Sequence, residues 1–361
     1  MDLLRGNLES YLKSVYGRDL KLLSIRKMGE TIPTSEDVKG FGYGSPLLVD
    51  FEVKGKKGSA VLSTMRAQYG FGHDHFSDRA RIMIWQNSTF SSLPKHVPSL
   101  DVGYFTGKGK LVSAGNAAEY FLLMEKVEGK EYFFDLERVK ESGATDLDYE
   151  RTVALSNYLA EIHAVKNDCP PLYLRKIRET VGDGECIFGI LDDYPDNPSF
   201  LDEGELVEIE KICVQWRWML RDKARRLCQV HGDFHPWNIM FREGTDFSVL
   251  DRSRGEWGEA ADDITALAMN YIFYSVQKSL RLTGDLKDLF ELFFENYLEK
   301  TGDEELLEVI APFFAFRATV VASPTWYPLL SDDVRRALFN FLENVLASKK
   351  FNYRDVNSYL A

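Results

Sequence analysis

The sequence contains little cysteine and no long hydrophobic run. Its four cysteines include no Cys-x-x-Cys pair, so reduced thiols are expected rather than a zinc site or a disulfide framework. No apolar run approaches the ~18 residues that a membrane span requires. Residues Met1 to Gly17 mix charged side chains with leucines and lack the uncharged core of a signal peptide. We therefore expect a cytoplasmic protein without a membrane partner.

Charge is distributed unevenly along the chain, whose net formal charge is −12. Residues 1–125 carry 16 Lys and Arg against 13 Asp and Glu, a balance of +3. Residues 126–361 carry 28 against 43, a balance of −15. An acidic surface repels nucleic acid and attracts cations, so we expect no nucleic-acid partner. The first part is the better place for an anionic ligand such as a nucleotide.

The pattern of apolar residues changes near residue 125. Before it, short aliphatic segments separated by glycine-bearing turns predict strands at Leu20–Met28, Leu47–Lys54 and Ser59–Met65. A helix is predicted over Ser77–Phe90 and a buried strand over Tyr120–Met124. After Gly129 the apolar spacing is helical. The sequence thus predicts an α+β protein, with a small antiparallel-sheet lobe over residues 1–125 and a larger, mainly helical lobe over residues 126–361.

The segment from Val230 to Ile264 carries the residues of greatest chemical interest. Two short apolar strands around a four-residue loop, Glu243–Asp246, predict a β-hairpin. If Arg242 faces Phe247, then Asn238 faces Asp251, and opposed residues have Cβ atoms ~4.5–5.5 Å apart. An amide oxygen and a carboxylate form an oxygen-only ligand set, which suits Mg²⁺. The pattern predicts a metal site at Asn238 and Asp251.

Asp233 lies five residues before Asn238, in a loop that Pro236 keeps out of helical geometry. A carboxylate at that position could accept a hydrogen bond from a substrate hydroxyl beside the metal. Phosphoryl transfer requires few other protein groups, because its transition state is loose and is stabilised mainly by positioning and charge neutralisation.

The motif His231-Gly232-Asp233, followed by Asn238 and Asp251, resembles the catalytic and metal-binding loops of the aminoglycoside phosphotransferase and choline kinase-like family. The later Gly258 and Asp263-Ile264 are similar to that family's helix start. The resemblance implies a bilobal protein-kinase-like fold that uses ATP and Mg²⁺. It also implies that Asp233 is the catalytic base, that His231 orders the loop, that Asn238 and Asp251 bind metal, and that Asp263 braces the loop.

The resemblance extends to a nucleotide site. Phe121–Gly129 is similar to the family's hinge, which implies adenine recognition by the backbone of Glu125 and Val127, with Met124 lining the pocket. A glycine-rich segment lies between two predicted strands, and its backbone amides could contact phosphate. The glycines concerned are Gly40, Gly42 and Gly44. An ordinary flexible turn would have the same composition.

The chain departs from the family at the third strand, where Ser63 stands at the position of the expected phosphate-binding lysine. Arg66 is one candidate to replace it, and the pair His73 and His75 is another, either through phosphate or through a metal. A solvent-exposed loop with satisfied polar contacts is the commoner explanation of the two histidines. Arg252 and Arg254 follow the predicted metal carboxylate and could neutralise the transferring phosphate. The alternative for them is surface pairing with Glu256, Glu259 or Asp262.

The acceptor site is indicated only by charge and aromatic residues. The segment Leu191–Glu210 holds eight acidic residues, which would attract an amine-bearing acceptor. A solvated helix start is the alternative, because acids favour helix N-termini. Trp326 and Tyr327 could line the same pocket or pack in the core.

Together these features predict a kinase that moves the γ-phosphate of ATP to a hydroxyl of a small molecule, for which an amine-bearing, aminoglycoside- or choline-like compound is one candidate. One rival is a nucleotide-binding pseudokinase with a regulatory role, in which the missing lysine reflects lost catalysis. The presence of Asp233, Asn238 and Asp251 favours the enzyme. A second rival transfers AMP instead of phosphate.

Overall fold

The computed structural model describes residues 5–28, 44–68 and 70–361. The chain divides into two compact units, Met1–Met124 and Glu125–Ala361. The first unit contains the larger antiparallel sheet and the second is mainly helical. The predicted α+β architecture, with small antiparallel sheets and a larger helical part, is confirmed.

The first unit is built on a three-stranded antiparallel sheet, as the aliphatic segments predicted. Strands β1 (Leu20–Lys27), β2 (Gly44–Val53) and β3 (Lys56–Met65) lie in the order β1-β2-β3. Lys54 and Gly55 join β2 to β3 with positive φ at both positions, the conformation that two-residue hairpins favour. Helix α1 (Arg5–Tyr16) packs Leu8 and Leu12 into the small core beside β1 and β2.

The predicted helix at Ser77–Phe90 is confirmed as α2 (Phe76–Thr89), which is followed by a short 3-10 turn, Phe90–Ser92. His75 caps its N-terminus, since the imidazole accepts from the Ser77 amide and the Asp78 side chain accepts from the His75 amide. Strands β4 (Gly103–Phe105) and β5 (Leu111–Ser113) then form a separate antiparallel pair.

The predicted buried strand at Tyr120–Met124 is wrong. Residues 114–129 belong to none of the strands of the described chain, and the side chains of Phe121, Leu122 and Leu123 are 92%, 80% and 89% exposed. A run of apolar residues forms a buried strand only when another strand offers hydrogen bonds. Neither the sheet of β1, β2 and β3 nor the β4–β5 pair provides that edge to this segment.

The second unit begins with β6 (Lys130–Glu131) and the helices α3 (Phe133–Ser142), α4 (Asp146–His163), α5 (Pro170–Gly182), α6 (Ile187–Asp192) and α7 (Glu203–Met219). The short strands β7 (Cys228–Gln229), β8 (Ile239–Phe241), β9 (Phe247–Val249) and β10 (Trp257–Gly258) follow. The helices α8 (Ala260–Ser279), α9 (Gly284–Thr301), α10 (Leu306–Val309), α11 (Ala311–Ala322) and α12 (Asp332–Ala347) complete it.

Helix α8 forms the centre of the second unit. It is buried on all sides over most of its length, as expected for a helix that is apolar all round. Helices α9 and α11 pack against it, while α4 packs on α9 and α12 packs on α11. The N-terminus of α8 therefore has a fixed position, which matters for the loop that contacts it.

The four cysteines are free thiols, as predicted, and Cys186, Cys213 and Cys228 are buried. Burial raises the pKa of each of these three thiols to about 12, which keeps them protonated and unreactive. Among the helices that the structure describes, none has both the length and the apolar character needed to cross a membrane.

Candidate active site

The loop that carries Asp233 connects β7 to β8 in the second unit. It begins where β7 pairs with β10 and ends in a 3-10 turn over Pro236–Asn238. Gly232 has a φ of +88°, and a Cβ at that position would lie 3.2 Å from the Cβ of Arg254. The loop therefore needs glycine at this point, for both backbone conformation and space.

Asp263, in the first turn of α8, holds the start of this loop. Its two carboxylate oxygens accept from the amides of His231 and Gly232, each at 2.7 Å. His163 Nε2 lies 3.2 Å from the same carboxylate, and His163 Nδ1 lies 2.8 Å from the hydroxyl of Tyr297. Burial alone would raise the pKa of Asp263, but hydrogen bonds from the His163 side chain and the His231 amide hold it below its ordinary value. Asp263 thus braces the loop as an ionised, buried acceptor.

His231 is buried within the loop. Its Nδ1 accepts from the amide of Asp233 at 3.3 Å, so the imidazole fixes the backbone on which the Asp233 side chain is mounted. Burial lowers the pKa of His231, which keeps the ring neutral. Its geometry suits an ordering role better than a proton-transfer role.

Asp233 is held by a buried arginine. Arg317 of α11 donates from Nη1 to Asp233 Oδ1 at 2.6 Å, and from Nη2 to the carbonyl oxygen of Gly232 at 3.1 Å. The same Nη2 donates to Asp262 Oδ1 at 2.6 Å. Burial would raise the pKa of Asp233, but hydrogen bonding from His235 and the positive charge of Arg317 outweigh it and hold that pKa far below its ordinary value. Asp233 is therefore ionised throughout the neutral range.

His235 contacts the second oxygen of Asp233. Its Nδ1 accepts from the amide of Trp237 at 3.3 Å, and its Nε2 lies 3.2 Å from Asn238 Nδ2. That Nε2 lies 3.4 Å from Asp233 Oδ2. Asn238 Nδ2 donates to the carbonyl oxygen of Asp233 at 3.0 Å, which closes the loop and leaves the amide oxygen of Asn238 as an acceptor.

The predicted register of the hairpin is wrong by one residue. Ile239 pairs with Val249 and Phe241 with Phe247, and the Leu250 amide donates to the Asn238 carbonyl, so Asn238 stands beside Leu250 and not Asp251. Gly244, with a φ of +63°, allows the chain to turn in three residues between Arg242 and Asp246 instead of the four predicted.

Asp251 follows Leu250 with a φ of +55°, an unusual value for a residue other than glycine. The extended backbone ends there, so the alternation of side chains along β9 does not continue to Asp251. Left-handed backbone in a non-glycine residue costs about 1–3 kcal/mol and concentrates at functional sites.

Asn238 and Asp251 fit a magnesium ion by the chemistry of their side chains. Both offer hard oxygen donors, and Asp251 is exposed, with no salt bridge within the described residues. Mg²⁺ commonly takes one or two protein oxygens together with substrate phosphates and water. No group of three or more His, Cys, Asp or Glu side chains that could hold a metal occurs in the described chain, so an all-protein metal cage is not offered here.

The predicted nucleotide residues are spread over the first unit and its boundary. Gly40 and Gly42 lie outside the described residues, while Gly44 opens β2 and Ser63 lies on β3 opposite Pro46. Met124, Glu125 and Val127 lie in the unpaired segment that follows Tyr120, where Lys126 and Glu128 form an exposed ion pair. The part played by each in nucleotide binding stays a prediction.

Arg252 and Arg254 contact backbone oxygens, and their part in neutralising the transferring phosphate stays a prediction. Arg252 donates to the backbone carbonyls of Val230 and Glu256, so it supports the loop and does not pair with a carboxylate. Arg254 donates to the carbonyl oxygen of Glu185 and lies over the ring of Phe316. Surface pairing with Glu256, Glu259 or Asp262 is wrong, because backbone oxygens are nearer to these side chains.

The acidic segment and the two aromatic residues now have positions. Asp202 and Glu205 form a capping box at the start of α7, which is the solvated helix start considered above for part of this charge. Tyr327 is half-buried and its ring lies 6.3 Å from that of Trp237, the residue before Asn238. Trp326 is 60% exposed. Tyr327 thus stands close to the Asp233 loop.

Arg317 is the residue that sequence reasoning missed. It is the one charged residue in α11, whose other residues are Ala, Pro, Phe, Thr and Val. A lone arginine in an apolar helix signals a buried charge that requires an acidic partner. The identity of that partner, 84 positions earlier in the chain, is not visible in the local pattern.

Comparison with solved structures returns kinases of low sequence identity. A Plasmodium vivax ethanolamine kinase is 15% identical, with 99% of this chain and 88% of that chain covered and a TM-score of 0.34. An amicoumacin kinase in complex with AMP-PNP, Ca²⁺ and Ami is 13% identical, with coverage of 96% and 99% and a TM-score of 0.39. A choline kinase from Streptococcus pneumoniae is 12% identical, with coverage of 94% and 97% and a TM-score of 0.35.

No curated protein sequence gives a significant match. A family model does match, over residues 95–286, and its description is "Phosphotransferase enzyme family". The matched part is more than half of the chain and includes Asp233, Asn238, Asp251 and Asp263. The chain therefore belongs to this phosphotransferase enzyme family.

Proposed function

We propose that the protein transfers the γ-phosphate of ATP to a hydroxyl group of a small molecule, in a reaction that requires Mg²⁺. The observation that carries this proposal is the fixed, ionised Asp233, set between Arg317 and His235 on a loop that also presents Asn238. A protein that only bound nucleotide would have no use for a carboxylate held in this way, so we do not propose the pseudokinase.

In this proposal the hydroxyl oxygen of the acceptor attacks the γ-phosphorus. The new O–P bond forms as the bond to the β–γ bridging oxygen breaks, and ADP leaves with that electron pair. Asp233 accepts a hydrogen bond from the attacking hydroxyl and orients it. Because Asp233 is a weak base, it takes the proton only late, when the O–P bond is nearly formed, and then returns it to water.

Asn238 and Asp251 would hold a magnesium ion in this scheme, and the ion would neutralise charge on the phosphates. Asp263 and His231 keep the loop in place, which matters because a misplacement of ~1 Å can cost about 100-fold in rate. Nucleotide binding is assigned to Gly40, Gly42, Gly44, Ser63, Met124, Glu125 and Val127 as the remaining part of the proposal.

The acceptor that we propose carries an amine as well as a hydroxyl. Residues 126–361 have an excess of 15 acidic over basic residues, from 43 against 28, which favours a cation. Tyr327, close to Trp237, offers an aromatic face of the kind that cations bind, and the exposed ring of Trp326 precedes it.

A screen with purified protein tests the function directly. MgATP would be incubated with amino alcohols, with aminoglycosides and with neutral sugars, and ADP release would be measured together with the mass of the product. We expect acceptor-dependent ADP release, a product heavier by one phosphate, and loss of both in Asp233→Asn. The matched control Asp246→Asn changes an exposed aspartate at the hairpin tip and should retain full turnover.

Three results would contradict the proposal. A product heavier by AMP would indicate the rival transfer reaction. Nucleotide binding without turnover across the acceptor panel would support the pseudokinase. Undiminished turnover in Asp233→Asn would remove the carboxylate from the chemistry altogether.

A further inference from the structure

Arg317 lies outside the part of the chain that matches the family, residues 95–286, and no role follows for it from that membership. Its side chain is 5% exposed, in a helix otherwise made of apolar residues and threonine. A guanidinium in such surroundings is costly unless its donors are used. Its two terminal nitrogens donate to Asp233, Asp262 and the Gly232 carbonyl, and its Cζ lies 4.4 Å from the ring centroid of Phe316.

These contacts fix the orientation of the Asp233 carboxylate and also place a positive charge beside it. Arg317 occupies Oδ1 of Asp233 at 2.6 Å, whereas Oδ2 has only the longer contact of 3.4 Å to His235. A planar guanidinium that holds two carboxylates and one backbone carbonyl leaves the Asp233 side chain little freedom to rotate. Oδ2 is then the oxygen left to accept from a substrate hydroxyl.

The other partner of Arg317 connects this contact to α8. Asp262 precedes Asp263, the residue that accepts from the amides of His231 and Gly232. Arg317 and Asp263 therefore hold the same loop from two sides, one through the Asp233 side chain and one through the backbone. Helix α11 also leads directly to Tyr327, whose amide donates to the Ser323 carbonyl at 2.9 Å, and Tyr327 contacts Trp237 beside the loop.

From this geometry we infer that Arg317 is a positioning residue that orients Asp233 so that its Oδ2 receives the acceptor hydroxyl. The inference rests on the proposed function and deepens it. Net stability is a poor explanation of the arginine, because replacing a buried ion pair by apolar side chains of similar size is often neutral for stability. An apolar side chain at position 317 could not hold the Asp233 carboxylate in this orientation.

The test compares two buried arginines: Arg317 pairs with two carboxylates, and Arg226 pairs with three, those of Glu259, Asp303 and Glu305. Arg317→Met removes the contact to Asp233, and Arg226→Met removes a comparable pairing with Glu259 and Asp303 that does not touch Asp233. ADP release from MgATP, with the amino alcohols and aminoglycosides of the screen as added acceptors, would be measured beside thermal unfolding and MgATP affinity. Asp233→Asn would be measured in the same series.

We expect kcat to fall by about 100-fold in Arg317→Met, while the KM for MgATP changes by less than about threefold. Arg226→Met should lower thermal stability and leave kcat unchanged. Arg317→Lys, which keeps the charge but not the fork, should retain intermediate activity. In Arg317→Ala, added guanidinium should restore part of the lost rate, and it should restore none in Asp233→Asn.

Unchanged kcat in folded Arg317→Met, with turnover lost in Asp233→Asn, would overturn this inference and leave the proposed function standing. Equal losses in Arg317→Met and Arg226→Met would also overturn it, since stability alone would then explain both. If Arg317→Met does not fold, Arg317→Lys replaces it as the test. Full activity in Arg317→Lys would contradict the inference that the forked guanidinium positions Asp233. Absence of MgATP turnover in the unchanged protein would contradict both the inference and the proposed function.

Discussion

The imidazole of His163 lies 3.2 Å from the carboxylate of Asp263, and both side chains are buried. The same carboxylate accepts from the amides of His231 and Gly232, so one acid joins α4, α8 and the loop of Asp233.

Replacing Asp263 with alanine should lower the free energy of unfolding by about 3 kcal/mol or more, because two buried amides lose their acceptor. Denaturant unfolding monitored by circular dichroism measures this. The control is Asp285→Ala, which removes the acceptor of one half-buried amide, that of Ala144, and should cost less. A loss below about 1 kcal/mol in Asp263→Ala would show that the loop does not depend on this acid.

Gly232→Ala tests the need for glycine in the loop. The added Cβ would lie 3.2 Å from the Cβ of Arg254 at a residue whose φ is +88°, so we expect the free energy of unfolding to fall by about 1–3 kcal/mol. We also expect turnover to fall by about tenfold. Gly244→Ala is the matched control, since its φ is +63° and open space surrounds it. In that variant only the backbone strain should lower the free energy of unfolding, and turnover should be unchanged. Equal turnover in the two variants would contradict the account of the loop.

The pH dependence of stability should depend in part on Asp148. This buried carboxylate accepts from Arg138 and from the amide and hydroxyl of Thr145. Burial would raise the pKa of Asp148, but those hydrogen bonds lower it below its ordinary value. Asp148 therefore stabilises the fold above the unfolded-state pKa of ~3.9, and the contribution is lost as pH falls through the lower folded-state pKa.

We expect Asp148→Asn to lower the free energy of unfolding by about 1 kcal/mol or more at neutral pH, and the gap to the unchanged protein to narrow below pH ~4. Urea unfolding across that pH range checks the sign. The exposed neighbour Asp146, in the same helical turn, provides the control as Asp146→Asn. A gap that widens on acidification would contradict the assignment.

The metal requirement should depend on Asp251. Removal of divalent ions with EDTA should abolish turnover, and Mg²⁺ should restore it. Asp251→Asn should raise the Mg²⁺ concentration for half-maximal turnover by about tenfold or more, because a charged ligand is replaced by a neutral one. Asp246→Asn should leave that concentration unchanged. Turnover that persists in EDTA, or an unaltered Mg²⁺ requirement in Asp251→Asn, would contradict the assignment of the metal site.

Local pattern was sufficient to predict most of the regular structure. The strand that contains Val49 and Phe51 and the helix that ends at Thr89 depend on apolar spacing and on turn residues that lie within each segment itself. The hairpin was also predicted, but not its register, because the conformation of Gly244 decides whether the turn uses three or four residues. A shift of one residue then separates Asn238 from Asp251 across the ladder.

Features that depend on distant partners were not predictable in the same way. The apolar run at Tyr120–Met124 has the composition of a buried strand, yet a strand requires a neighbour that sequence alone does not supply. Arg317 is the opposite case, since its contact with Asp233 joins α11 to a loop far earlier in the chain. The motif around Asp233 indicated the catalytic candidate, whereas its contact with Arg317 became visible only in the fold.

The central claim is that Asn238 and Asp251 bind one magnesium ion while Asp233 receives the acceptor hydroxyl. A crystal structure with Mg²⁺, AMP-PNP and the acceptor returned by the screen tests it most directly. We expect oxygen atoms of Asn238 and Asp251 at ~2.0–2.1 Å from one ion, and Asp233 Oδ2 within hydrogen-bond distance of the acceptor hydroxyl. An ion that binds away from these two residues, or an acceptor hydroxyl remote from Asp233, would contradict the account.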